Sequence, residues 1–98
     1  MRKITREAVD KFLSKEPFKK SNMQVDQFGS TFRLKLHNNT IAVLDEFNML
    51  SISNAGWSSN TTKERLNGLP HVHIKQKNWS WFLNGNEWNG EWTRVGIV

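Results

Sequence analysis

Cysteine and tyrosine are absent from this 98-residue chain, and proline occurs only twice. Without a thiol there is no disulfide framework, no thiolate zinc or iron–sulfur site and no cysteine nucleophile. Stability must therefore come from ordinary packing, in a setting compatible with the reducing interior of a cell. Long apolar runs are lacking too, with a mean hydropathy of −0.64. That excludes a membrane-spanning helix, and the charged start Met1-Arg2-Lys3 is not followed by the apolar stretch of a signal peptide. Acidic residues are the scarcer charge, 9 against 14 Lys and Arg, for a formal net charge of +5. Such a surplus points first to a polyanionic partner. The length suits one domain spanning residues 1–98.

Much of the surplus is local. Arg2, Lys3, Arg6, Lys11, Lys15, Lys19 and Lys20 face only Glu7, Asp10 and Glu16, so the first 20 residues carry +4 of the +5. The same stretch patterns as an amphipathic helix, with Ala8, Val9, Phe12 and Leu13 on one stripe. Thr5 is expected to cap it, Ile4 to staple against Val9, and Arg6/Asp10 and Glu7/Lys11 to pair on the outer face. Pro17 stops it near Glu16.

From Asn22 to Asn54 the period changes to two. Met23–Phe28 opens a meander, and Phe32, Leu34 and Leu36 alternate with Arg33, Lys35 and His37. Asn38-Asn39 turns the chain into Thr40–Leu44, and Asp45–Asn48 into a strand bearing Leu50 and Ile52. Thr61-Thr62-Lys63-Glu64 has the form of a capping box, with Gly68 as a left-handed stop and Pro70 beyond it, which predicts a two-turn helix around Arg65 and Leu66. In the last third Val72 and Ile74 oppose His71, His73, Lys75 and Lys77. There Trp79, Trp81 and Leu83 share a face, and Asn84-Gly85 and Asn89-Gly90 signal two close turns. The expected fold is α+β: an antiparallel sheet of five or six strands with the N-terminal helix and the short second helix on one face. Phe12, Leu13, Phe32, Leu34, Leu36, Ile41, Val43, Leu50, Ile52, Leu66, Val72, Ile74 and Trp81 are the expected core.

Four stretches carry a resemblance: Ser53-Asn54-Ala55-Gly56-Trp57, Thr61 through Pro70, Ile74-Lys75-Gln76-Lys77, and Trp81-Phe82-Leu83-Asn84-Gly85-Asn86-Glu87-Trp88. With its A-G-W, T-T-K-x-R-L-N and W-x-L-N-G-x-x-W pattern, the chain resembles a group of small proteins encoded by tailed bacteriophages and prophages. The match is strongest over the C-terminal half. It implies an accessory gene expressed in the bacterial cytoplasm, where such products act on nucleic acid or on a host protein. The group has no assigned activity, so the resemblance supplies a setting and no catalytic residue.

Catalytic signals are sparse. His71 and His73 lie two apart on one predicted strand face, a spacing metal sites can use, yet no third ligand follows in pattern and a solvated strand face is the favoured reading. Gly56-Trp57-Ser58 is not a nucleophile elbow, and no glycine-rich phosphate loop is present. No enzyme, metal or cofactor is expected. The hydroxyl-rich helix start with Lys63 and Arg65 could meet a phosphate, or could simply cap itself. Five tryptophans are dense, four of them in the last 20 residues. Trp79 and Trp81 read as core lining, Trp88 and Trp92 as exposed contacts.

The leading expectation is a non-enzymatic phage accessory protein that binds nucleic acid mainly through phosphates. Arg33, Lys35, Lys63, Arg65, Lys75 and Lys77 would contact the backbone, and Trp88 or Trp92 would stack bases. The alternative is a protein-binding inhibitor or modulator of a bacterial host factor, anchored by the tryptophan-rich hairpin. The choice turns on whether the cations converge.

Overall fold

A computed structural model describes residues 1–98. Eleven elements follow in order: α1 (Lys3–Leu13), β1 (Phe18–Lys20), β2 (Met23–Phe28), β3 (Thr31–Leu36), β4 (Asn39–Leu44), β5 (Met49–Ile52), α2 (Asn60–Leu66), β6 (Ile74–Lys77), β7 (Ser80–Leu83), β8 (Asn86–Trp88) and β9 (Thr93–Ile97). Short hairpins place β1 to β5 side by side, and β9 returns to pair with β5, giving a six-stranded antiparallel sheet in the order β1-β2-β3-β4-β5-β9. The strands of the last third do not extend that sheet. They form a separate three-stranded sheet, β6-β7-β8. The fold class is thus α+β, with an N-terminal helix and one short second helix.

The helix α1 lies across β1, β2 and β3 and buries Ala8, Val9 and Phe12, leaving Leu13 half-buried. Phe12 is fully enclosed, a burial that contributes about 2–3 kcal/mol. Its local chemistry departs from expectation. The helix begins two residues before Thr5, with Arg2 in the cap position and no side-chain cap. Thr5 is instead buried inside it. Arg6/Asp10 and Glu7/Lys11 do not pair along the helix: Glu7 reaches Lys20 on β1 at 3.0 Å, and Lys11 reaches Glu16 at 3.7 Å. Lys15, at φ 57, makes the left-handed stop, with the Lys15 and Glu16 amides bonded back to Phe12 and Lys11.

Alternation places Phe32, Leu34 and Leu36 in the core, but β4 breaks the period. Leu34 pairs with Ala42 and Lys35 with Thr40, so Ile41 is a bulged extra residue. Ile41 and Ala42 are both buried, and Val43 turns outward to half-burial. Near α2 the expected capping box is displaced. Ser59 is the cap and its Oγ accepts from Thr62 N at 3.1 Å, while Glu64 reaches across to α1. Gly68 has no left-handed backbone. A Cβ there would lie 2.7 Å from Thr5 Cγ2, so this glycine is needed for close approach of the two helices.

The turns at His37-Asn38, Asn78-Trp79 and Asn84-Gly85 all have two successive positive φ values, the twist that two-residue hairpins demand. Asn89-Gly90 is different, because no hairpin forms there. Gly90 brings its carbonyl to Asn54 N (3.0 Å) and Ser53 Oγ (2.8 Å), tying the end of the small sheet to the end of β5.

Candidate functional site

The sheet alternation that buries Leu34 puts Arg33 and Lys35 on the opposite face of the large sheet, and there they share one carboxylate. Asp26 on β2 accepts from Arg33 Nε at 2.8 Å and faces Lys35 Nζ at 3.0 Å, and the Arg33 guanidinium lies 5.0 Å from the Phe28 ring centre. The hydrogen bond from Arg33 is the main reason the Asp26 carboxyl sits below its ordinary pKa; burial opposes this and Lys35 assists. One of this pair's two positive charges is therefore offset within the protein.

Arg65 is withdrawn from the surface altogether, its side chain only 3% exposed. It donates to Thr5 Oγ1 (3.0 Å) and to Asn22 Oδ1 (3.3 Å), and pairs with Glu64. Sequence reading placed it outside because a short basic helix looks solvated; packing between α1 and the β1–β2 turn overrides that. Lys63, two residues earlier and so on the opposite side of α2, is half-buried and bonds Gln76 Oε1 of β6 at 3.1 Å. Lys75 and Lys77 alternate with the inward Ile74 and remain exposed. Of the six expected cations, Lys75 and Lys77 thus share one face of β6, and Lys63 reaches Gln76 on the other.

The tryptophans exchange roles. Trp88 packs against the core with its ring 6.2 Å from that of Trp81, and its Nε1 donates to Glu91 O and Thr93 Oγ1, both at 3.0 Å. Trp92 stays exposed. Trp79, expected in the core, is 93% exposed at φ 69 in the turn between β6 and β7. Sequence reading aligned it with Trp81 as one strand face. The missed signal is that Asn78-Trp79 are the two residues left between Lys77 and Ser80, the last pair of the β6–β7 hairpin. Trp57 is likewise exposed in the loop before α2.

Two cavities meet at Asn54. One, of about 350 Å³, has Leu36 and Ile41 among its lining with Asn39 and Trp57. The other, of about 240 Å³, is lined by Ser58, Trp79, Trp88 and Glu87 among others. His37 also lines the first cavity, but His71 and His73 line neither. His71 precedes β6 and its Nε2 lies 2.8 Å from Ile97 O, so the pair with His73 on one strand face does not exist. No cluster of three His, Asp or Glu side chains is present.

Fold and surface together define a small α+β protein of two antiparallel sheets, with exposed tryptophans on its loops and a lysine-bearing hairpin at one edge. The chain belongs to the Kyanoviridae Gp96 protein family, whose pattern matches residues 1–97, and is therefore a phage protein. Neither a curated protein nor a solved structure matches it. No helix is long and apolar enough to cross a membrane.

Proposed function

We propose that this phage protein is a non-enzymatic accessory factor that binds single-stranded nucleic acid through the β6–β7 hairpin. Trp79 stacks on a base, and Lys75, Lys77 and Lys63 contact the flanking phosphates. One observation carries the reading. Trp79 is almost wholly exposed, in a left-handed turn position that normally takes glycine or asparagine, on the same hairpin as two exposed lysines. An indole that packs on nothing and occupies a disfavoured backbone position adds nothing to folding, whereas indoles beside cations form the usual platform for unpaired bases. Arg33, Lys35 and Arg65 are left out, since their charges are engaged within the protein.

Titration of fluorescent single-stranded oligonucleotides at rising salt tests this. Three phosphate contacts predict a log–log slope of roughly −2, and Trp79→Ala weakens binding by about five- to a hundredfold. A flat salt response, or affinity untouched by Trp79→Ala, removes the proposal.

Trp92 favours a second reading, as an anchor for a bacterial host protein. It is 52% exposed on the segment between β8 and β9, outside the lysine-bearing hairpin. A pull-down partner that survives nuclease treatment and is lost on Trp92→Ala supports this; recovery of background proteins alone counts against it.

A further inference from the structure

We infer that the cavity beside Asn54 is a nucleobase pocket, in which one unstacked base lies against the Trp57 indole. The inference takes its setting from the single-strand reading above, but it rests on different residues. Leu36 and Ile41, both buried, contribute an apolar surface to the cavity, and Trp57 is 60% exposed at its rim. Its volume, about 350 Å³, lies within the range of small-ligand sites.

Asn54 supplies the specificity. It is only 6% exposed, and all its polar groups but one are committed. Its amide donates to Gly90 O, its carbonyl accepts from Trp57 N at 2.9 Å, and its Oδ1 accepts from Gly56 N at 2.8 Å. Because Oδ1 must face that amide, Nδ2 is oriented the other way, and it has no partner in the protein. The position is rigid, since the side chain lies over bare Gly90, where a Cβ would collide with it. Nδ2 is not sealed in, since Arg65 Nε is the one buried side-chain nitrogen without a partner, so Asn54 presents a fixed donor that water or a ligand can meet. Asn39 adds the complement: its Nδ2 bonds His37 O at 3.2 Å, leaving Oδ1 as a free acceptor.

A fixed donor, an acceptor and an indole face suit a planar heterocycle carrying both hydrogen-bonding senses at its edge. The lining contains no carboxylate, lysine or arginine, with His37 its one titratable group, so the occupant is neutral. A base meets that condition and a phosphate does not. Asn54 also lines the cavity that holds Trp79, so a base on Trp79 and a base in the pocket belong to one strand.

The test uses the full chain. Adenosine, guanosine, cytidine and thymidine are titrated while the indole N–H signals are followed by NMR, with ribose and glucose as controls. In parallel, affinities for short homo-oligomers are compared. At least one nucleoside should shift the Trp57 signal while the sugars leave it unmoved. Affinity should differ by about tenfold between homo-oligomers, a difference lost in Trp57→Ala with the salt slope unchanged. Asn54→Asp keeps the acceptor for Gly56 N and replaces the donor, so it should fold and lose the nucleoside response. Sugars acting as well as nucleosides, or a response intact in Asn54→Asp, overturns the pocket. Homo-oligomers bound equally and identically by Trp57→Ala overturn it too, with single-strand binding left standing. Nucleosides bound without oligonucleotide binding would leave the pocket standing and defeat the broader reading.

Discussion

The guanidinium of Arg65 donates to the hydroxyl of Thr5 at 3.0 Å, across 60 positions of sequence, and that same hydroxyl donates to Glu64 at 2.5 Å. One buried oxygen thus joins α1 to α2. Glu64 extends the link by accepting from the amide of Arg2 at 3.2 Å, and Arg65 by reaching Asn22 in the β1–β2 turn. Thr5→Val keeps the shape and deletes both bonds, so urea denaturation should show a loss of about 1–3 kcal/mol. Both Arg65→Met and Arg65→Ala remove the unpartnered buried Nε, but Arg65→Met should cost less because its apolar chain refills the space that Ala leaves empty. Equal stability of Thr5→Val and wild type would mean that the network contributes nothing net.

Acid should weaken the fold through two carboxylates. Burial works against ionised Glu64, but the bonds from Thr5, the Arg2 amide and Arg65 outweigh it and hold its pKa below the ordinary value. Asp26 is lowered chiefly by Arg33. A depressed folded pKa gives stability that is present above the unfolded value, about 4, and is lost as pH falls through the lower folded one. Thermal midpoints measured from pH 6 to pH 2 should therefore fall below pH 4, and Glu64→Gln and Asp26→Asn should each flatten the fall. An unchanged profile in both variants would refute the assignment.

Gly90 should tolerate no side chain. At φ 91, with Asn54 packed on its Cα, Gly90→Ala meets both backbone strain and a collision. The expected cost is about 2–4 kcal/mol, a midpoint drop of roughly 10 °C or more for a domain of this size. Gly85→Ala, at φ 90 with nothing near, should cost less because only the backbone term applies. Calorimetry of the two variants separates collision from strain.

Replacing Trp79 should separate stability from binding. Trp79→Gly relieves a bulky residue at φ 69 and should stabilise the protein by about 0.5–1 kcal/mol while weakening oligonucleotide binding by about five- to a hundredfold. Destabilisation instead would show that the indole packs in solution and is not free for a ligand.

Most of the meander was legible from the alternation of Phe32, Leu34 and Leu36 and from its turns, because period-two burial and positive-φ turn chemistry are local properties. Val43 was misplaced for a reason no alternation contains: the bulge at Ile41 resets which face each later residue takes. The strand β9 was not anticipated, since Thr93–Ile97 pairs with β5, more than 40 positions away. Of the site, Lys75 and Lys77 were readable as an outward strand face. Trp57 and Trp79 were not, because exposure of a tryptophan depends on what the rest of the chain leaves uncovered.

The sequence by itself determined the helix stripe, the hairpin turn at Asn84-Gly85, the α+β class and the absence of thiol chemistry, all of which follow from residue type and near-neighbour spacing. Tertiary structure alone decided the fate of the positive charge. Arg65 is enclosed by Thr5, Glu64 and Asn22, Arg33 and Lys35 share the one carboxylate of Asp26, and Lys20 pairs with Glu7, contacts between segments that approach only after folding. Net charge counts cations wherever they lie; a binding surface needs cations that remain unspent, and that depends on distances between residues far apart in the chain.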